Sequence, residues 1–129
     1  TGVLMPNPHA VALVADVDNA GDLRVAPEVS PTTAFPQGVN VEFVSLVDSH
    51  HIQMRVFERG VGETLSCGTG VCAAAFAARL VSGESGHTAW RVDVPGGTLI
   101  VEQDDDNAMT LIGPAVIVAE GTIDFRLWD

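Results

Sequence analysis

The segment from Gly68 to Ser82 most constrains the fold, because it predicts a helix without a polar face. Its only charged residue is Arg79, and alanine, valine, cysteine, phenylalanine and leucine occupy every side of the helical wheel. A helix that is apolar all round lies in the middle of a core. Alanine adds high helix propensity and lets neighbouring backbones approach closely. We therefore expect one central helix with a sheet wrapped around it.

Composition indicates one domain with a substantial core. The chain has 129 residues, 47% of them hydrophobic, and domains usually contain about 100 to 200 residues. Its 17 acidic and 6 basic residues give a net charge of −11, which a nucleic-acid backbone would repel. No apolar run is long enough for a membrane span, and no secretion signal is recognisable. We expect a cytoplasmic protein that binds neither nucleic acid nor membranes.

The pattern around the helix predicts an α+β domain. Alternating apolar residues predict strands at 39–47 and 52–58, joined by a turn at 48–51. Short strands are expected after the helix, at 90–94, 98–102, 110–112, 115–119 and 123–127. Residues 16–38 are acidic and contain three prolines, which is typical of a surface connection. We expect a short helix near Asp22 within that connection.

Two asparagines and a histidine stand where the sequence allows two interpretations. Asn7 and His9 flank Pro8, and Pro6 precedes them. Because proline fixes φ and lacks an N–H group, we expect a rigid turn that does not join a sheet ladder. Asn7 either satisfies local backbone groups or belongs to a site. Asn40, at the start of an apolar strand, either caps a turn or points into a site.

Cys67 immediately precedes the predicted helix, and the small residues Gly68, Thr69 and Gly70 follow it. The first N–H groups of a helix have no intrahelical partner, so this segment predicts a seat for a carboxylate or phosphate. The same field favours thiolate over thiol, and we expect a lowered pKa and a reactive sulfur at Cys67. We interpret Cys72, more than one turn deeper, as a small core residue.

Two polar turns could suggest metal binding, but neither has a complete ligand pattern. No cysteine or acid completes a zinc set with His50 and His51. The run 104–107 lacks the spaced ligands and closing glutamate of a calcium loop, and we interpret it as a solvated hairpin tip. No metal ion is predicted.

Charged residues gather just upstream of Cys67. Glu58 and Arg59 end a predicted strand, and Glu63 follows in a glycine-rich loop. If Cys67 is a thiolate base, the neighbouring N–H groups could hold the carboxylate of an α-amino acid and bring its Cα–H to sulfur. Removing that proton requires aligned dipoles and exclusion of water. Inversion also requires an acid on the opposite face, which Cys72 cannot supply because it lies on the same helix.

The run 58–70, ERGVGETLSCGTG, resembles the second cysteine motif of the diaminopimelate epimerase family. The segments 7–9 and 38–42 match two further motifs of that family in the same order, and 95–97 and 113–115 match later structural ones. The resemblance spans nearly the whole chain. It implies two pseudo-symmetric halves, each a mixed or antiparallel sheet wrapped around one central helix, with the site between them.

The resemblance also implies a function. That family comprises cofactor-independent isomerases of lysine and cell-wall biosynthesis, which interconvert LL- and meso-diaminopimelate with two cysteines as base and acid. Cys67 would be one of that pair, with His9 and Glu58 assisting proton movement. The N–H groups of Gly68 and Thr69 would bind the reacting carboxylate. The other implied substrate-binding residues are Glu58 and, at the distal end of the substrate, Arg59 with Asn7 and Asn40.

This sequence departs from the family at two places. The first cysteine motif, a Cys-Gly-Asn-Gly run, is absent, and Pro6 replaces the usual glycine. We therefore expect residues 1–129 to form a single domain, the C-terminal half of a longer epimerase that is inactive without its N-terminal half. The resemblance implies that the final strand crosses to that half, leaving an exposed edge through which a homodimer could pair.

Two alternatives stay open at this point. The chain could be a non-catalytic binding or interaction domain of the same fold, which the missing first cysteine favours. It could also resemble a proline racemase, although that family lacks the Glu-Arg-Gly-x-Gly-Glu-Thr run. Phenazine-type isomerases of similar fold replace the cysteine altogether and fit less well.

Overall fold

The computed structural model describes residues 1–124, which form one helix and eight strands. Two short 3-10 turns, Val17–Ala20 and Thr32–Ala34, interrupt the long connection before the third strand. In chain order the elements are β1 (Gly2–Leu4), β2 (Pro8–Leu13), β3 (Asn40–Asp48), β4 (His51–Glu58), β5 (Gly62–Thr64), α1 (Gly68–Ser82), β6 (Thr88–Val94), β7 (Gly97–Gln103) and β8 (Met109–Ile112).

The eight described strands form a single mixed sheet in the order β1-β2-β3-β4-β6-β7-β8, with β5 pairing beside β4. The pairs β2/β3 and β4/β6 are parallel, and the others are antiparallel. Because β3 occupies one edge of β4, its other edge is divided between β6 at residues 51–53 and β5 at residues 56–58. The predicted α+β class is confirmed.

Helix α1 lies inside the curve of this sheet. It begins and ends where the sequence predicted, and it contacts β1, β2, β3, β4, β6, β7 and β8. Ala73, Ala74, Ala75, Ala77 and Ala78 are all fully buried. Because alanine has a small side chain, strands can approach the helix from several sides. Among the described residues, no helix has both the length and the apolar character of a membrane span.

The sheet has an apolar cluster on each face. Residues on the inner face, including Val44, Met54 and Val56, pack with α1. On the outer face Val41 and Phe57 pack with Leu23 and Val39 of the long connection. Both faces of β3 are covered over its first half, so Val41 on the outer face and Val44 on the inner face are both buried.

The C-terminal end of α1 is held by a glycine and by an acidic hairpin tip. Gly83 is left-handed, with φ of 68°, and its N–H group caps Arg79 O and Leu80 O. Arg79 Nη2 donates to both Gly86 O and Asp105 Oδ1 at 2.8 Å. The predicted turn at 104–107 is therefore confirmed, but Asp105 anchors the helix end as well as facing solvent.

Three expectations about local structure are wrong. Pro8 begins β2 and pairs with Leu4, so the proline turn does enter the ladder, at the first residue of a strand where proline is tolerated. The short helix expected near Asp22 is instead the 3-10 turn at Val17–Ala20. Residues 115–119 form no strand, and the side chains of Val116, Ile117 and Val118 are at least 80% exposed. The predicted strand at 123–127 lies largely outside the described residues.

Enlarging a buried alanine of α1 should destabilise the fold. Ala77 has no exposed surface, so leucine at this position has no space between the helix and the sheet. We expect Ala77→Leu to lower the free energy of unfolding by about 1–3 kcal/mol, the usual cost of overpacking. Urea unfolding monitored by the fluorescence of buried Trp90 measures this change.

Leu80 provides the matched control, because it lies on the same helix with 60% of its surface exposed. We expect Leu80→Ala to change the free energy of unfolding by no more than about 0.5 kcal/mol. Equal unfolding midpoints for Ala77→Leu and the unaltered chain would contradict the enclosure of α1.

Candidate functional site

Polar side chains meet the N-terminal end of α1 on the inner face of the sheet. The parallel register of β2 and β3 aligns His9 with Asn40. Glu42, two residues along β3, lies on the same face as Val44, which packs against the helix. Glu58 ends β4, next to β3. Three neighbouring strands thus bring an imidazole and two carboxylates to the first turn of α1.

Cys67 is the N-cap of α1 and is 8% exposed. Its backbone is extended, and its carbonyl accepts the first helical hydrogen bond from Val71 N at 2.8 Å. Its Sγ lies 3.5 Å from Thr69 Oγ1, and the backbone N–H group of Gly70 acts on the sulfur by favouring its thiolate form. The N–H groups of Gly68 and Thr69 have no partner within the helix, and the anion seat expected there stays a prediction.

The expectation of a lowered pKa for Cys67 is wrong. Burial is the largest influence and raises the pKa of this thiol above its ordinary value. The hydrogen bonds from Thr69 and Gly70 favour the thiolate, but the carboxylates of Glu58 and Glu42 oppose them. Desolvation therefore outweighs the helix N-terminus here. At neutral pH Cys67 is a thiol.

Cys72 differs from Cys67 in its surroundings. It is partly buried and packs against the core cluster around α1, in agreement with its interpretation as a core residue. Burial also raises the pKa of this thiol. Both cysteines are free.

His9 and Glu42 form a fully buried pair. Both side chains have no exposed surface, and His9 Nδ1 lies 2.6 Å from Glu42 Oε1. The other ring nitrogen, Nε2, lies 3.1 Å from Asn7 Oδ1. Burial raises the pKa of Glu42, and its hydrogen bond with His9 acts in the opposite direction. The second carboxylate oxygen, Oε2, is buried without a hydrogen-bond partner among the described residues.

Gly70 allows this pair to lie against the first turn of α1. A Cβ at residue 70 would lie 2.8 Å from Glu42 Oε1 and 3.4 Å from Cys67 Sγ. The first distance is too short for any real side chain, so only glycine leaves room for the carboxylate. These two distances show that Glu42 Oε1 and Cys67 Sγ both border the space next to Gly70.

Glu58 and Asn40 make separate hydrogen bonds at the end of β4. Thr64 Oγ1, on β5, donates to Glu58 Oε1 at 2.6 Å. Arg59 N donates to Asn40 Oδ1 at 2.9 Å. Asn40 therefore fixes the backbone at Arg59, which agrees with its interpretation as a residue that holds a turn.

The guanidinium of Arg59 turns away from the two asparagines. Its Nη1 donates to Gln37 O at 2.8 Å, while Asn7 bonds His9. Gly38 accommodates the Arg59 side chain, because its φ is 80° and an added Cβ would lie 2.8 Å from Arg59 Cδ. Arg59 and Gly38 border a cavity of about 300 Å³ beneath the long connection, lined also by Pro27, Val29, Phe35 and Phe57. Among the described residues, the hydrogen bonds of Arg59 and Asn7 go to different partners, and the predicted role of both at the distal end of a substrate stays a prediction.

The sequence did not reveal the roles of Glu42 and Thr64 in this region, and it indicated Gly70 only as one of the small residues after Cys67. Glu42 carries a detectable signal, because a glutamate two residues after Asn40 lies on the inward face of an otherwise apolar strand. The contact between Thr64 and Glu58 depends on β5, which is too short to predict. Among residues 1–124, no group of three or more histidine, cysteine, aspartate or glutamate side chains is arranged to hold a metal ion.

Solved structures resemble this chain in fold. A predicted epimerase from Pseudomonas aeruginosa aligns with a TM-score of 0.51 and 16% identity, covering 76% of this chain and 33% of that one. A phenazine biosynthesis protein of the PhzF family from Enterococcus faecalis aligns with a TM-score of 0.50 and 20% identity, covering 77% and 35%. At these identities the similarity concerns the fold alone.

Sequence comparison gives closer relatives. The sequence model of the diaminopimelate epimerase family matches residues 1–118. A diaminopimelate epimerase from Streptomyces coelicolor is 54% identical over 127 residues, covering 95% of this chain and 44% of that protein. One from Acinetobacter baylyi is 45% identical over 130 residues, covering 98% and 44%. The chain spans less than half the length of these relatives. On this evidence, the chain belongs to the diaminopimelate epimerase family.

Proposed function

We propose that this chain provides one half of a cofactor-independent diaminopimelate epimerase, with Cys67 as one of two thiols that exchange the Cα proton. The observation that carries the proposal is the position of Cys67 Sγ at the N-terminus of an enclosed helix, beside His9, Glu42 and Glu58. Family membership supports the substrate, since the 54% identical relative is named diaminopimelate epimerase.

The first turn of α1 would bind the reacting carboxylate. The free N–H groups of Gly68 and Thr69 are suited to two carboxylate oxygens, and the helix dipole favours a negative charge there. A carboxylate bound at this point would bring the attached Cα next to Cys67 Sγ. The same N–H groups would stabilise the negative charge that develops when Cα loses its proton.

The charges around Cys67 favour a proton donor on this side. With its pKa raised, Cys67 holds a proton at neutral pH and can deliver it to a carbanion. Microscopic reversibility then makes the resulting thiolate the base in the reverse direction. Glu58 and His9 would assist movement of the proton at sulfur, and Glu58 is held in place by Thr64.

The opposing base would come from outside this chain. Cys72 is five residues further along the same helix and packs with the core, so it cannot reach the other face of a substrate at Cys67. We propose that residues 1–129 are the C-terminal half of the enzyme and that an N-terminal half supplies the second thiol, as the missing Cys-Gly-Asn-Gly motif suggests. Arg59, Asn7 and Asn40 would bind the distal end of the substrate after Arg59 reorients.

Solvent-deuterium exchange tests the reaction. We would replace the matching segment of the Streptomyces coelicolor relative with residues 1–129 and incubate the folded chimera with LL- or meso-diaminopimelate in D₂O. We expect deuterium at the reacting Cα in the chimera and none with residues 1–129 alone. A folded chimera that incorporates no deuterium from either isomer would overturn the proposed function.

The two cysteines should differ in the chimera. We expect Cys67→Ala to lower the exchange rate by about 10²- to 10⁴-fold, the usual contribution of a positioned acid or base. Cys72→Ala is the matched control, because it removes a thiol from the same helix without removing the acid, and it should retain most of the activity. Equal losses for the two variants would contradict the assignment of Cys67.

The charge of Glu58 should tune the Cys67 thiol. Because its carboxylate raises the pKa of Cys67, we expect Glu58→Gln to lower that pKa, so that thiolate appears at lower pH. The ¹³Cβ chemical shift of Cys67, followed against pH in residues 1–129, measures this change and distinguishes Cys67 from Cys72. Glu63→Gln is the control, since Glu63 pairs with Arg55 instead. An unchanged titration in Glu58→Gln would contradict this coupling.

A further inference from the structure

Glu42, which forms a fully buried pair with His9, is an ionisable residue to which the proposed function gives no role. A carboxylate and an imidazole that both lack exposed surface are costly to bury. Their 2.6 Å contact compensates part of that cost, and one carboxylate oxygen, Oε2, has no partner among the described residues. Because replacing a buried ion pair with well-packed apolar side chains is often neutral or stabilising, stability alone is a weak reason to bury this pair.

We propose that Glu42 is a positioning residue of the Cys67 site: its Oε1 accepts the Nδ1 proton of His9 and holds the imidazole against the first turn of α1. The importance of Glu42 for catalysis rests on the proposed function. The position of the Glu42 carboxylate against His9 Nδ1 stands on the geometry of the chain alone, and the proton on Nδ1 is the part of the proposal that the experiment below tests.

Two contacts of the His9 ring support this assignment. His9 Nδ1 is 2.6 Å from Glu42 Oε1, a short distance typical of a charge-assisted hydrogen bond. Asn7 Oδ1, 3.1 Å from Nε2, occupies the opposite edge of the ring. A histidine held through both nitrogens cannot rotate its ring without losing both bonds, so its orientation is fixed.

Gly70 connects the pair to the thiol. The position of its absent Cβ is 2.8 Å from Glu42 Oε1 and 3.4 Å from Cys67 Sγ. The same carboxylate oxygen that holds His9 thus borders the space next to sulfur. The charged groups that raise the pKa of Cys67 are Glu58 from the end of β4 and Glu42 from β3, and on α1 itself Cys67 in turn raises the pKa of Cys72.

Imidazole NMR of residues 1–129 tests the inference. In the unaltered chain we expect a slowly exchanging proton on His9 Nδ1 at low field, correlated with its ¹⁵N nucleus. In Glu42→Gln the carboxylate is replaced by a neutral amide of the same size, and we expect that proton signal to move upfield or disappear. The Cys67 ¹³Cβ titration should shift in the same variant, because Glu42 acts on that thiol.

The chain offers a matched control in a second histidine–carboxylate pair. His51 Nε2 lies 2.7 Å from Asp93 Oδ2, on the far part of β4. Asp93→Asn should alter the imidazole signals of His51 and leave those of His9 and the Cys67 titration unchanged. Glu42→Gln should alter the imidazole signals of His9 and the Cys67 titration, and it should leave the signals of His51 unchanged. If Glu42 contributed only to packing, Glu42→Gln would lower the free energy of unfolding without a change confined to the His9 signals and the Cys67 titration.

A measurement on the unaltered chain can overturn this role of Glu42 even if Glu42→Gln does not fold. A His9 Nδ1 that carries no proton in the unaltered chain excludes Glu42 as the acceptor. In a folded Glu42→Gln chain, unchanged His9 signals would also overturn it. Neither measurement uses epimerase activity, so a failure here differs from the absence of deuterium exchange in the chimera.

Discussion

Enclosure of α1 by the sheet is the constraint on which the rest of this structure depends. The helix can be surrounded because its central residues are alanines, which bring strands close on several sides. Enclosure removes water from most of the helix and leaves its N-terminal turn as the polar end. His9, Glu42 and Glu58 reach that end because β2, β3 and β4 are neighbours in the sheet. The candidate site is therefore a consequence of how the core is closed.

Gly70 shows how closely the core and the site are connected. Within a helix, glycine costs about 1 kcal/mol relative to alanine, and the rest of α1 is rich in alanine. At residue 70, however, an alanine Cβ would collide with Glu42 Oε1. The helix loses some intrinsic stability at this position, and the buried carboxylate gains its place beside His9. The N–H group of the same glycine favours the thiolate form of Cys67.

The fold could be predicted from the sequence where local pattern and burial agree. Helix α1 was predictable because its apolar run is long and ends at Gly83, which adopts the left-handed cap. Strands β3 and β4 were predictable from alternation. Residues 115–119 have the same β-branched character, yet they form no strand and their valines are exposed. Strand formation needs a partner, and sequence composition does not identify one.

The site was predictable in its residue types and less so in its contacts. Cys67, Glu58 and His9 do gather at one helix end, whereas Arg59 faces Gln37 and the sequence did not reveal the role of Glu42. Both differences arise from pairings between distant segments, which a motif does not encode. The expected lowering of the Cys67 pKa was wrong for a physical reason. The helix dipole is a local property, but desolvation, which raises this pKa, depends on how the whole sheet closes over the sulfur.

The raised pKa has a consequence for the proposed reaction. A substrate carboxylate bound at the first turn of α1 would add another negative charge near Cys67, beside those of Glu42 and Glu58. Like charges disfavour the thiolate, so binding would hold Cys67 in its thiol form more firmly. In the direction that protonates the carbanion from this side, the Cys67 thiol would be the donor, and its thiolate would be the base in the reverse direction. In the proposed two-thiol reaction, the base that creates the carbanion in the first direction would be a thiolate on the other face, so the surroundings of the second thiol would have to favour its charge more than those of Cys67 do.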